Sequence, residues 1–163
     1  MKAQRGVVLI VSLVFLVLLT LLATSSMQNA TLQEKVAGSL KLRNASFQIA
    51  EAVLRAGEAK VLTPGFSLPQ CPSPASCLPP PDAKTLSGAA GAGASGMTWE
   101  ASDGGFYAIQ YLGQTDDPAG LPEKGDQEHR LYRVTAIAVQ GTLRTVLESI
   151  HTQERRIMWR QRL

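Results

Sequence analysis

Polar and apolar positions divide the chain into three regimes. From Gly6 to Gln33 no side chain is charged. The stretch from Val7 to Met27 would be about 31 Å long as a helix at about 1.5 Å per residue. That matches a bilayer hydrocarbon core of about 30 Å. The second regime, downstream, is amphipathic. Leu40, Phe47, Leu54 and Val61 recur every seven residues, Leu32 and Val36 extend the stripe, and Ile49, Ala50 and Val53 widen it. Glu34, Lys35, Lys41, Arg43, Glu51, Arg55 and Glu58 take much of the remainder. No proline occurs before Pro64, where Pro64-Gly65 forms a stop signal. The pattern predicts one helix over about 7–62, apolar all round in its first half and one-faced in its second.

The apolar head has three readings. As a core helix it would need a partner surface that so small a remainder does not supply. As a cleaved secretory signal it has a basic start and small residues at Ala23 and Ser25. Its apolar core, however, exceeds the usual stretch of about 7–15 residues, and helical composition continues past the would-be cut. As a retained anchor it has Lys2, Arg5 and the initiator amine to hold its start in the cytoplasm by the positive-inside bias. The body is then exported.

The third regime follows an irregular middle. Residues 64–82 hold seven of the nine prolines together with both cysteines, Cys71 and Cys77. In an exported body a disulfide between them is favoured over free thiols. A ring this short constrains the unfolded chain by about 2 kcal/mol. A metal site is disfavoured, because two cysteines with no nearby histidine or carboxylate pair do not supply four ligands. Residues 87–96, SGAAGAGASG, read as a linker or a tolerated insertion. The period then changes to that of strands: 97–101, a turn at Asp103-Gly104-Gly105, 106–112, 131–139 and 142–152, with Gln140-Gly141 between the last two. Four antiparallel strands packed on 32–61 would give an α+β head, with Phe47, Leu54, Val134 and Ile137 as plausible core members.

Charge adds one detail. The formal net charge is +3, and its excess sits at Arg155, Arg156, Arg160 and Arg162. This is a neutral body with a basic tail, not a basic domain built for nucleic acid. The tail, with Trp159 among its arginines, suits docking on a partner slightly better than a purely solvated role. The acidic loop holding Asp116, Asp117, Glu123, Asp126 and Glu128 has oxygen ligands but not an EF-hand's spacing, and Lys124 interrupts it, so a solvated loop is preferred to a calcium site. His129 and His151 have no apparent nucleophile and orienting acid beside them. No cofactor motif is present, since the glycine run lacks the strand and helix of a dinucleotide fingerprint. Enzymatic activity is not expected, and neither is a catalytic or metal site.

A short basic leader, a glycine and a retained apolar helix resemble the class III signal of type IV pilins. The run TLQEKVAGSLKLRNASFQIAEAVLRAGE, residues 31–58, is similar more specifically to the PilX minor pilins, as is LYRVTAIAVQGTLRTVLESI, residues 131–150. The resemblance implies a pilin-like α+β fold. It also implies cleavage by prepilin peptidase after Gly6 and methylation of the new terminal amine on Val7. Two departures stand out. Val7 replaces the phenylalanine usual in major pilins. Val11 occupies the fifth mature position, where pilins generally carry a glutamate.

The expected organisation is a leader over 1–6, a transmembrane and filament-core helix over 7–27, and an amphipathic helix over 28–62. A Pro/Gly-rich loop with the cysteine pair over 63–96, a β-sheet over 97–152 and a basic tail over 153–163 complete it. The resemblance implies a minor pilin that waits in the inner membrane with its head in the periplasm. It would then prime assembly in a tip complex with other minor pilins, the major pilin and a tip adhesin. The alternatives are a single-pass anchored periplasmic binding module that never enters a filament, and a secreted binding protein released after Ser25.

Overall fold

The computed structural model describes residues 4–88, 90–116 and 128–162. Residues 1–3, the start of the expected leader, and the acidic positions Asp117, Glu123 and Asp126 lie outside the described residues. Helix α1 is Gln4–Val61. The chain divides within it into two compact units, Met1–Lys41 and Leu42–Leu163.

In the first unit α1 is the whole of the described structure, and its apolar side chains, from Val7 to Leu40, are exposed. Three polar side chains interrupt the apolar stretch from Val7 to Thr24, and each closes on the helix itself. Ser12 Oγ donates to the Leu9 carbonyl at 2.9 Å, Thr20 Oγ1 to Val17 at 2.8 Å and Thr24 Oγ1 to Leu21 at 3.0 Å. Hydroxyls satisfied by their own backbone leave nothing that demands water, which is the condition for crossing hydrocarbon.

The second unit begins with residues 42–61 of α1. Six strands follow: β1 (Gly91–Ala92), β2 (Thr98–Ser102), β3 (Gly105–Thr115), β4 (His129–Gln140), β5 (Leu143–His151) and β6 (Arg156–Arg162). They form one antiparallel meander in chain order. The α+β architecture agrees with the sequence reading, but the described residues form six strands rather than four. The additions are β1, inside the glycine–alanine run, and β6, inside the arginine tail. Neither has the apolar alternation that marks a strand, so each is set by its pairing partner rather than by its own pattern.

Local chemistry explains the turns. Val61 is the last helical residue. Phe66 N–H then donates to the Thr63 carbonyl at 3.0 Å, with Gly65 at φ +81°, which is a type II turn with Pro64 at its second position. The β4–β5 hairpin turns on Gly141-Thr142, one residue later than expected. Gln140 pairs with Leu143, and Gly141 takes φ +61° at the first central position. Glycine alone enters that region freely, so it occupies the turn rather than its flank. The β5–β6 turn was not anticipated. Thr152 Oγ1 accepts from the backbone N–H groups of Glu154 and Arg155, and its own N–H donates to the Arg155 carbonyl at 2.8 Å.

The sheet is covered on both faces. Ala50, Val53, Leu54 and Val61 of α1 pack against Tyr107, Tyr132, Val134, Ala136, Ala138 and Leu147. Phe47 borders this cluster, and its ring meets Trp159 edge-on at 6.2 Å. Packing on the sheet begins near Ser46, whose hydroxyl lies 2.7 Å from that of Thr145. The opposite face buries Ala83, Trp99, Ala108, Ile137 and Val146. Ile137 is therefore a core residue, as expected, but of the layer away from the helix. The lid of that layer is the proline-rich stretch, including a 3₁₀ turn over Pro81–Lys84. The glycine–alanine run supports it rather than acting as a linker, because Ser95 hydrogen-bonds the buried Asp82.

Contacts of two kinds, polar and steric, bind the helix end to β2, β3 and β4. Lys60 Nζ donates to both oxygens of Glu100 at 2.5 and 2.6 Å, and Tyr107 Oη donates to Glu100 at 2.8 Å. The Lys60 bond, opposed by burial and assisted by Tyr107, holds the Glu100 carboxyl below its usual range. Burial and the Glu100 charge push the Tyr107 phenol up to about 12. The second kind is steric. A Cβ on Gly57 would stand 2.5 Å from Val134 Cγ1 and 3.0 Å from Tyr107 Cδ2.

Gly57→Ala should therefore destabilise the detergent-solubilised chain. Alanine improves helix propensity by about 1 kcal/mol, but overpacking a full core costs about 1–3 kcal/mol. The expected result is a lower midpoint in chemical denaturation. Acid should act through Glu100. Its depressed pKa contributes stability above the ordinary carboxylate range, and that stability is lost as pH falls through the folded-state value. Thermal melts of wild type should drop in this window, whereas Glu100→Gln should start lower at pH 7 and drop less. At the alkaline end, stability from neutral Tyr107 should fade between about 10 and 12.

Candidate functional site

The sequence-derived positions fall in two places. Gly6, Val7 and Val11 lie near the start of α1, and the side chains of Val7 and Val11 are exposed. Val7 and Val11 are four residues apart and share one helix face with Phe15. An added Cβ on Gly6 would meet nothing within 4 Å. No packing constraint requires glycine at this position, although it lowers helix propensity by about 1 kcal/mol relative to alanine. Val11 introduces no charge into the segment, whose longest apolar stretch is sufficient to cross a membrane.

The cysteines lie in the second unit. Cys71 and Cys77 are joined, with their Cα atoms 5.3 Å apart. One end of the ring is held to the edge of β3: Cys71 N–H donates to the Tyr111 carbonyl at 3.1 Å, and Gln70 Nε2 to that of Leu112 at 3.2 Å. The other end is held from beneath. Gln110 Nε2 donates to the carbonyls of Ser76 and Leu78 at 2.9 and 3.0 Å, and Arg133 Nη1 donates to that of Cys77. Arg133 in turn forms an ion pair with the buried Glu148, Nε to Oε1 at 2.6 Å. Arg160 Nε reaches the other Glu148 oxygen at 2.9 Å. A row of polar side chains thus crosses β3, β4, β5 and β6 under the loop.

Burial pulls the Arg133 guanidinium below its ordinary range. Glu148 opposes that shift, and the charges of Arg160 and Arg162 reinforce it. Arg156 shifts the other way. Its two-pronged bond to Glu58, at 2.7 and 2.5 Å, raises it. Asp82 combines opposing effects. Burial pushes it up, but hydrogen bonds from the Ser95 hydroxyl and N–H, with Trp99 alongside, leave it below the usual range.

This network was missed in the sequence. Its legible trace was the pairing of opposite charges across β4, β5 and the tail, but without strand register Arg133, Glu148 and Arg160 are not neighbours. The tail is likewise not a loose basic extension: Arg156 and Arg160 reach Glu58 and Glu148 inside the same unit. His151 is buried with its ring nitrogen against the Thr152 carbonyl, and His129 opens β4. Among the described residues no three His, Cys, Asp or Glu side chains gather to hold a metal ion.

A family model described as PilX N-terminal matches residues 5–55. No curated protein and no solved structure matches the chain. The matched span begins beside Gly6, covers the whole apolar stretch and ends on helix residues that pack against the sheet. An apolar helix of this length fits a membrane-anchored protein, and the family is one of structural pilins rather than enzymes. That domain, on the long helix of an α+β pilin-like architecture, makes the N-terminal third of the chain similar to the PilX minor pilins of the type IV pilus.

Proposed function

We propose that the protein is cut after Gly6 by prepilin peptidase, methylated on Val7, held in the inner membrane with its head in the periplasm, and recruited into a tip complex that primes the pilus. The observation that carries the reading is the unbroken helix Gln4–Val61. Ala23 and Ser25, the small residues of a secretory cut, are in mid-helix. Cutting there would separate the head's own core helix from the segment that precedes it. Cleavage at Gly6 removes only the basic leader. The absence of any packing demand for glycine at this position favours a role in recognition, because a site without a side chain admits the protease.

Val11 supports placement at the tip. In pilins generally, the carboxylate at this mature position neutralises the terminal amine of the subunit already above. A charge at mid-bilayer costs about 2.5–3.5 kcal/mol on insertion scales, so that pairing matters. A subunit with valine offers no such partner and suits a position with nothing above it. Association then proceeds as apolar helices exchange lipid for one another, while loops of the head select neighbours. Those neighbours are other minor pilins, the major pilin and, beyond them, an adhesin.

Intact mass of the mature protein should equal the chain without residues 1–6 plus one methyl group. An uncut chain would point to the anchored periplasmic module instead, and loss of 25 residues to secretion. Gly6→Leu should leave the circular dichroism of the purified chain unchanged, yet accumulate uncut precursor and abolish piliation. Piliation at wild-type level would reject the processing step. Val11→Glu should disperse immunogold label from the tip along the fibre. Label that stays at the tip would show that the missing carboxylate does not direct placement.

A further inference from the structure

The network under the disulfide loop pairs Arg133 and Arg160 with Glu148, and Arg156 pairs with Glu58 of α1, but three other cations of the second unit have no acidic partner among the described residues. A cleft of about 350 Å³ is lined by Ala83, Lys84, Arg144, Val146, Gln161 and Arg162. No carboxylate side chain is among these residues. Arg144 uses Nη1 to donate to the carbonyls of Ala83 and Leu86, at 3.3 and 2.6 Å. Arg162 uses Nη1 to donate to that of Pro80 at 3.4 Å. Carbonyls orient a guanidinium without cancelling its charge. Each guanidinium carries five N–H donors, so Nε and Nη2 of both remain available. The exposed Lys84 makes no ion pair among the described residues. Of the acids on the neighbouring elements, Glu148 is ion-paired with Arg133 and Arg160, while Asp82 keeps its charge and is turned to the Ser95 hydroxyl and N–H rather than to a cation of the cleft. The excess of positive charge is felt at a distance, since Arg162 contributes to the lowered pKa of Arg133.

We propose that this cleft, on the free side of the loop cover where β5 begins and β6 ends, is a binding site for a phosphate monoester. The stoichiometry of charge selects the ligand. A carboxylate would leave two of three positive charges unmatched, whereas a phosphate monoester carries about −1.5 to −2 at neutral pH and three acceptor oxygens. Two oriented guanidinium forks and one mobile ammonium are a suitable donor set for such a group. The apolar floor formed by Ala83 and Val146, both buried, lowers the local dielectric and strengthens these contacts. The phosphate could belong to a soluble sugar phosphate or to a lipid headgroup, since both present the same terminal oxygens. This site is independent of the processing and tip-placement readings.

The test uses the full chain in phosphatidylcholine nanodiscs, with ¹⁵N side-chain signals of Arg144 and Arg162 recorded by NMR. Inorganic phosphate and glucose 1-phosphate should shift these signals, and chloride at matched ionic strength should not. Lys84→Gln, a change at an exposed position that bears no structural bond, should weaken phosphate binding several-fold, and Arg162→Gln about tenfold or more, as loss of a charged hydrogen bond implies. Discs containing phosphatidic acid identify the source. Shifts there without added phosphate assign a lipid headgroup, and shifts only with glucose 1-phosphate assign a soluble ester. Absence of any shift at millimolar phosphate, or equal binding by wild type, Lys84→Gln and Arg162→Gln, would overturn the proposal.

Discussion

The constraint on which the rest of the molecule depends is that one helix must meet two different environments. Backbone N–H and C=O groups in hydrocarbon find no water, so a crossing segment must satisfy them internally. In its first half α1 does this with its own ladder and returns its few hydroxyls to the same backbone. In its second half Ala50, Val53, Leu54 and Val61 supply one side of the head's core. The core of the second unit thus draws on residues of the same helix whose earlier part is apolar all round.

The sheet solves a second problem. Six strands with one helix leave a face to be covered, and the chain covers it with irregular backbone. Prolines suit such a cover because they limit the unfolded chain's freedom, but each also removes a donor and leaves carbonyls that need partners. The partners come from the sheet. Gln110, Arg133, Arg144 and Arg162 reach up to the carbonyls of residues 76–86. Burying Arg133 with Glu148 has its own cost, since an ion pair taken out of water often does no better than a hydrophobic pair of the same size. What the pair secures is geometry. It holds the loop at Cys77 and adds a side-chain contact, through Arg160, to the backbone pairing of β5 with β6.

How much was legible follows from how local each determinant is. The anchor, the helix stop at Pro64-Gly65 and the β4–β5 hairpin are written in consecutive residues, so their sequence carried them, to within one residue at the hairpin turn. In the sequence the arginine tail stands out as a basic extension, because net charge is its most visible property. As a strand it depends on Glu58 and Glu148, which lie 98 and 12 residues away in the contacts they make. Likewise, Ser95 looked like one more small residue in a low-complexity run. It matters because Asp82, thirteen positions earlier, is folded against it.

By itself, then, the amino-acid order determined the elements whose physics is periodic or nearest-neighbour: an uncharged helix long enough for a bilayer, its amphipathic continuation and alternating strands. Only the tertiary structure decided which face each strand shows, that both faces are buried, and which charges cancel and which are left in the cleft at Lys84, Arg144 and Arg162. Those outcomes depend on side chains brought together across the sheet, and charge is screened or unscreened by neighbours in space rather than by neighbours along the chain.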